Sequence, residues 1–419
     1  MNRYASPLVS TNLVSPPVSL FRHFSDLPDP RIDRTKRHKL IDVIGVSICA
    51  VICGADGWAA IEEYGQAKET WLRDFFELPH GIPSDDTFRR VLTCVSPTQF
   101  QDRFMNWVQA ISTRMAGHVV PIDGKTVRRS YDRGDHKAAI HMISAWASAD
   151  HLVLGQRKTD AKSNEITAIP DLLELLALEG CIVTIDAMGC QTTIASQIVD
   201  QGGEYVLALK ENQEQTYQAV VAFFDQVHGP KPGASSPSPP PEKPQPLDLK
   251  QQQERARRQA QQQHAWSQAT TAYETVDGEH GRIEIRRYWQ VADLSWCEER
   301  SRWKHLQSIG MVEAERHVAD QVSIERRYYL SSLAPDITRF AQAIRSHWGI
   351  ENSLHWVLDM TFHEDACRIR NGSAPENFTV LRHIAVNLLN RDPSDTRSLA
   401  MKRRRAGWDN TYLAQILRE

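Results

Sequence analysis

No Cys-x-x-Cys pair occurs among the seven cysteines, and their number is odd, so neither a disulfide framework nor a zinc ribbon is favoured. A reducing, cytoplasmic setting is the expectation. An apolar run long enough to cross a bilayer is also missing: the longest, Leu40 to Ala55, is interrupted by Asp42 and reads as a buried helix. No membrane association is expected. The N-terminus lacks a basic segment followed by an apolar one, which argues against a secretory signal. The formal charge of -3 gives no chain-wide basic signature, so any nucleic-acid surface has to be local. No internal repeat and no His-Glu-x-x-His run is present.

What is present is an ordinary globular composition, 24% charged and 41% hydrophobic, on 419 residues, enough for two or three structural units. Residues 1–20 read as a loose leader punctuated by Pro16 and Pro17. Residues 21–116 carry helical spacing and make an all-α unit; Ser84 is set to cap a helix over Asp85 to Val95, whose Arg89 and Arg90 suit either DNA or a solvated face. From His118 the pattern changes to three adjacent strands, HVVPI, AIHMISAWAS and HLVLGQRKT. A leucine-rich helix follows over Ile166 to Leu178, then the strand CIVTI, a helix over Thr192 to Val199 and the strand EYVLALK. An antiparallel meander with right-handed crossovers then places the later strands parallel to the first. The expected fold class is α/β, an RNase-H-like mixed sheet flanked by helices. Its core covers residues 117–228 and 324–419, with the all-α domain ahead of it. Residues 229–264, rich in Pro, Ser and Gln, read as a disordered insertion, and 265–323 as a β-rich insertion that makes a small sheet.

Asp123 and Asp186 each follow a short β-branched run, at expected strand ends, and Glu351 lies on an expected helix. Three carboxylates converging from two strands and a helix suit a pair of Mg²⁺ ions, for which Mn²⁺ would substitute. Lys125, Arg128 and Arg129 follow the first aspartate, and Lys210 and Asn212 end the last core strand; all five are candidates to meet a phosphate backbone. His347, Glu351 and His355 recur at a four-residue interval on one helix face, a spacing that would also suit a zinc-dependent hydrolase, which would leave both aspartates unexplained. The run Lys402, Arg403, Arg404, Arg405 suits phosphate contact or a solvated terminus equally.

With these residues in this order the chain closely resembles the DDE transposases of bacterial insertion sequences, in particular the H-repeat-associated group. The resemblance runs from about Leu20 to the end. Its most specific blocks are GIPSDDTFRRVL, IDGKTVRRS, KSNEITAIPDLL, TIDAMGCQ, YVLALKENQ, ERRYYLSSL and RSHWGIENSLHWVLDMTFHEDACRIRNGSAPENF. It implies that Asp123, Asp186 and Glu351 are the metal-binding triad. It also implies that the substrate is double-stranded DNA, the element's terminal inverted repeats and a target, cut and joined by a homodimer on DNA. A catalytically inactive, DNA-binding relative is the alternative it leaves. Wider relatives carry a tyrosine, an arginine and a lysine around the glutamate, where this chain has Ile344, His347 and Leu358. His347, Arg345 and Arg368 are therefore the candidates for the missing positive charge, His347 first because it shares a helix face with Glu351.

Overall fold

Helix α2 (Leu40–Ile52) is almost wholly apolar and almost wholly buried, as its sequence requires. Its one carboxylate, Asp42, is stapled by the backbone N–H of Leu78 at 3.0 Å. On it pack α1 (Val18–Phe24), α3 (Trp58–Leu72) and α4 (Asp85–Cys94), and α5 (Pro97–Ile111) packs on α1. Ser84 caps α4 by accepting from the Thr87 N–H, and Arg89 and Arg90 both pair with Asp86 on the same helix. The computed structural model describes residues 18–112, 116–131, 138–159, 165–230, 270–279, 282–318 and 321–418. Among them no helix is long and apolar enough to cross a membrane.

The chain divides into two units. One comprises Met1–Ile111, Arg128–Lys137 and Leu358–Glu419; the other comprises Ser112–Val127 and Ala138–Val357. The expected assignment of 324–419 to the sheet core is therefore corrected: the chain from Leu358 onward belongs with the N-terminal helices. The reason is the helix Ala374–Arg391, buried along nearly its whole length and so in need of apolar neighbours on every side. It packs on α2, α4 and α5, and its buried Asn377 donates to the carbonyls of Leu92 and Val95 at 2.8 and 3.0 Å. The C-terminal basic run is largely used up inside this unit. Buried Lys402 donates to the carbonyls of Leu389 and Asp392, buried Arg403 to those of Val51 and Thr361, and Arg405 pairs with Asp395 at 3.2 Å.

The second unit is built on a mixed sheet. Strands β1 (Val119–Thr126), β2 (His141–Ala147) and β3 (Leu152–Thr159) form the expected antiparallel meander, and β4 (Ile182–Ile185) and β5 (Glu204–Leu209) run parallel to β1 on its other side. Helices α6 (Glu165–Leu173), α7 (Thr192–Asp200) and α8 (Glu214–His228) accompany these strands. The expected separate small sheet is instead an extension of this one. Strands β6 (Thr270–Glu279), β7 (Arg282–Val291), β8 (Ser308–Val318) and β9 (Gln321–Ser331) form antiparallel pairs, and β9 joins β5, giving the order 3-2-1-4-5-9-8-7-6. Backbone pairing gives the reason: Leu207 of β5 finds an antiparallel partner in Leu330, so the β5 edge is not left open. The second half of β8 is charged, which masks its strand pattern in the sequence. The excursion expected over 229–264 lies outside the described residues from position 231 onward.

Helix α9 (Ile337–Ile350), capped by Asp336, packs on β1 and β4 and delivers the chain to Glu351.

Candidate active site

Parallel pairing of β1 with β4 sets Ile122 opposite Ile185, so the next residues, Asp123 and Asp186, occupy equivalent positions on neighbouring strands. Asp186 stands where expected, just past the end of β4. Asp123 does not stand at a strand end: β1 continues through Thr126 because its other edge stays paired with β2, with Asp123 opposite Ser144. Where β4 stops and β1 continues, the parallel contact opens and leaves a crevice.

Glu351 enters that crevice from α9. It begins a π-helical turn, Glu351–His355, before the chain returns to α-helix at Trp356. A wide turn of this kind shifts side-chain directions at a functional position, and here it breaks the regular interval expected of His347, Glu351 and His355. The three carboxylates line one cavity of about 230 Å³ together with Thr184, Lys210, Arg327, His347 and Trp348.

Burial drives the electrostatics. The Asp123 carboxyl is pushed up to about 7 by loss of solvent, opposed by its hydrogen bond from the Gly124 N–H and reinforced by Asp186, Glu351 and Glu165. Asp186 is also raised, by burial and by Glu165, against the N–H groups of Gly189 and Met188 and the charge of Lys210. The Met188 N–H lies 3.0 Å from Asp186 Oδ1. Asn212 donates to the Ala187 carbonyl at 2.6 Å and so fixes the backbone directly after Asp186. His355 Nδ1 is 3.5 Å from Asp123 Oδ2. Among the described residues no three His, Cys, Asp or Glu side chains stand together as a formed metal cage.

A family model described as "Transposase DDE domain" matches residues 115–388, and one described as "DDE_Tnp_1-associated" matches 21–108. The chain belongs to the DDE transposase family. It is 38% identical over 404 residues to "H repeat-associated putative transposase YhhI" of Escherichia coli (strain K12), covering 95% of this chain and 97% of that one. It is likewise 38% identical to "Putative transposase YncI" of Escherichia coli O157:H7, over 95% of this chain and 94% of that one. A solved piggyBac transposase synaptic complex with hairpin DNA aligns with 96% of this chain and 81% of its own at a TM-score of 0.40 and 11% identity, too slight a likeness to carry an argument.

Within this DDE transposase the remaining candidates part company. His347 lines the cavity, but burial pushes its imidazole down to about 4, with Arg327 adding to the effect, and its Nδ1 lies 3.0 Å from Thr184 Oγ1. Its surroundings thus favour the neutral imidazole over the cation expected of it. Lys210 does line the cavity. Lys125 is half-buried on β1, two residues beyond Asp123 on the same strand face. Arg345 is exposed and pairs with Asp277 at 2.6 Å, lining a neighbouring groove of about 830 Å³ instead. Arg128, Arg129 and Arg368 fall in the helical unit, where Arg128 Nε lies 3.2 Å from Asp365.

Two neighbours of the carboxylates escaped sequence reasoning. Arg327 of β9 reaches the cavity, forked onto Glu325 at 2.8 and 2.9 Å with its guanidinium 4.3 Å above the Trp348 ring. Glu165 acts on both aspartates as described. Arg327 and Glu165 lie in the blocks ERRYYLSSL and KSNEITAIPDLL, so the signal was present, but only the fold shows that those blocks face the carboxylates.

Proposed function

We propose that this chain is an active DDE transposase that cuts the ends of an insertion sequence and joins them to target DNA, with Asp123, Asp186 and Glu351 as its metal-binding carboxylates. The observation that carries this reading is the Ile122–Ile185 rung, which sets two aspartates side by side, with Glu351 in the same cavity. The strand order through β5 is that of RNase-H-like enzymes.

The donor set fits hard divalent cations. It consists of carboxylate oxygens, and for Asp123 and Asp186 ionisation is opposed by burial and by neighbouring carboxylates, a balance that bound cations reverse. Of the imidazoles beside the carboxylates, His347 is held by Thr184 and His355 lies against Asp123, so the donors are carboxylate oxygens and Mg²⁺ or Mn²⁺ suits the set better than zinc. Bound there, the ions would activate a water or 3′-hydroxyl and stabilise the leaving oxygen. The chain's own work is positioning: Lys210 and Arg327 present positive charge to the scissile phosphate, and Asn212 keeps the turn after Asp186 rigid.

The DNA approaches along the neighbouring groove, which shares Arg327, Tyr329, Ile344, Trp348 and Glu351 with the cavity. Its wall carries Arg282, Arg286, Arg316 and Arg345, of which Arg286 and Arg345 are held by Asp277. Phosphates would take the place of that carboxylate. The test is incubation of the protein and Mg²⁺ with DNA carrying the flanking inverted repeats: nicks at the repeat ends that vanish on chelation support the reading, and uncut DNA refutes it.

A further inference from the structure

Gly124 follows Asp123, and a Cβ built there would stand 2.3 Å from His141 Nε2 and 2.4 Å from Glu165 Oε1. No other residue leaves that space. The two side chains are bonded to each other, Nε2 to Oε1 at 2.7 Å, and lie directly on the β1 backbone beside the first aspartate. His141 is held from its other ring nitrogen by Thr126 Oγ1 at 2.9 Å, so Thr126, His141 and Glu165 form a chain that spans from β1 through β2 to the start of α6. Both members of the pair are mostly buried, with side chains 27% and 20% exposed.

We propose that Glu165, held over Gly124 by His141, is a fourth carboxylate beside the catalytic cavity, and that its negative charge strengthens divalent-cation binding by Asp123, Asp186 and Glu351. The inference rests on the metal-dependent reading above. Its carboxylate is fixed against the backbone of the residue that follows Asp123, and a negative charge held that close attracts the cations the neighbouring carboxylates would bind. It acts through the field and the fixed position of the pair, which makes it a positioning residue.

The experiment titrates the full-length protein with Mn²⁺ alone, without DNA, and follows free Mn²⁺ by electron paramagnetic resonance. Glu165→Gln, which keeps the side-chain shape and removes the charge, should raise the Mn²⁺ dissociation constant roughly three- to tenfold. Glu165→Asp, which keeps the charge, should stay within about twofold of wild type, and this contrast is one that lost packing would not produce. Wild-type affinity in Glu165→Gln alongside weakened binding in Asp186→Asn overturns the role of Glu165 alone. A wild-type protein that binds no Mn²⁺, or Asp186→Asn binding as wild type does, overturns the metal site and this proposal with it. Should Glu165→Gln fail to fold, a Glu165→Asp protein that loses affinity more than tenfold overturns the charge argument by itself.

Discussion

Asp123 and Asp186 lie side by side one step beyond the Ile122–Ile185 rung, on strands that run parallel and stop at different points. The pairing costs the aspartates their solvent and sets like charges against each other. Both carboxyls are thereby raised, in a way that measurements of stability and rate can detect.

The Asp123 carboxyl, raised from 3.8 to about 7, holds its proton more tightly in the folded chain than in the unfolded one. Its contribution to stability is therefore complete below the unfolded value and is lost as pH rises through 7. Without metal, Asp123→Asn should melt several degrees above wild type at pH 8, with the gap closing toward pH 5. Mg²⁺ should raise the wild-type midpoint at pH 8 and leave the variant almost unmoved. Thermal scans at the two pH values, with and without Mg²⁺, check this; a lower midpoint for the variant at pH 8 without metal would contradict it.

Arg327 should matter more than His347. Arg327→Gln removes a positioned cation and should slow strand cleavage roughly a hundredfold. His347→Gln replaces a neutral, Thr184-bonded ring and should stay within about tenfold of wild type, below the usual effect of losing a proton-transfer group. Single-turnover cleavage rates decide the ranking, and a larger defect in His347→Gln would restore the histidine to the chemistry.

The buried cation Arg403 is spent on carbonyls of Val51 and Thr361. Arg403→Ala should leave those acceptors unsatisfied and cost about 2–4 kcal/mol of stability. DNA affinity at matched folded fraction should be nearly unchanged. Denaturant titration and a binding isotherm test the two halves; a stable variant that has lost DNA affinity would put the residue on the DNA surface.

Much of this was legible in the sequence, because strand runs such as VVPI and IVTI carry their period and β-branching locally, and crossover handedness fixes their order. Asp123, Asp186 and Glu351 could be named on that basis. The destination of Leu358–Glu419 could not, since it depends on which unit buries the helix Ala374–Arg391 rather than on that helix's own pattern. Nor could the charge state of His347: a histidine one turn before a glutamate reads as a cation in sequence, and only its burial against Thr184 makes it neutral. Lys402 and Arg403 show the same limit, for a basic run reads as surface until its carbonyl partners are known.

The most direct test of the central claim is cleavage of labelled end DNA in Mg²⁺ by wild type and by Asp123→Asn, Asp186→Asn and Glu351→Gln, with DNA binding measured on the same preparations. Each variant should bind the DNA within a few-fold of wild type, because most affinity comes from phosphate contacts elsewhere. Each should also lose cleavage by at least roughly a thousandfold, because the carboxylates act on the scissile phosphate through the ions they hold. Wild-type cleavage in any one of the three would contradict the assignment of that residue and the account built on it.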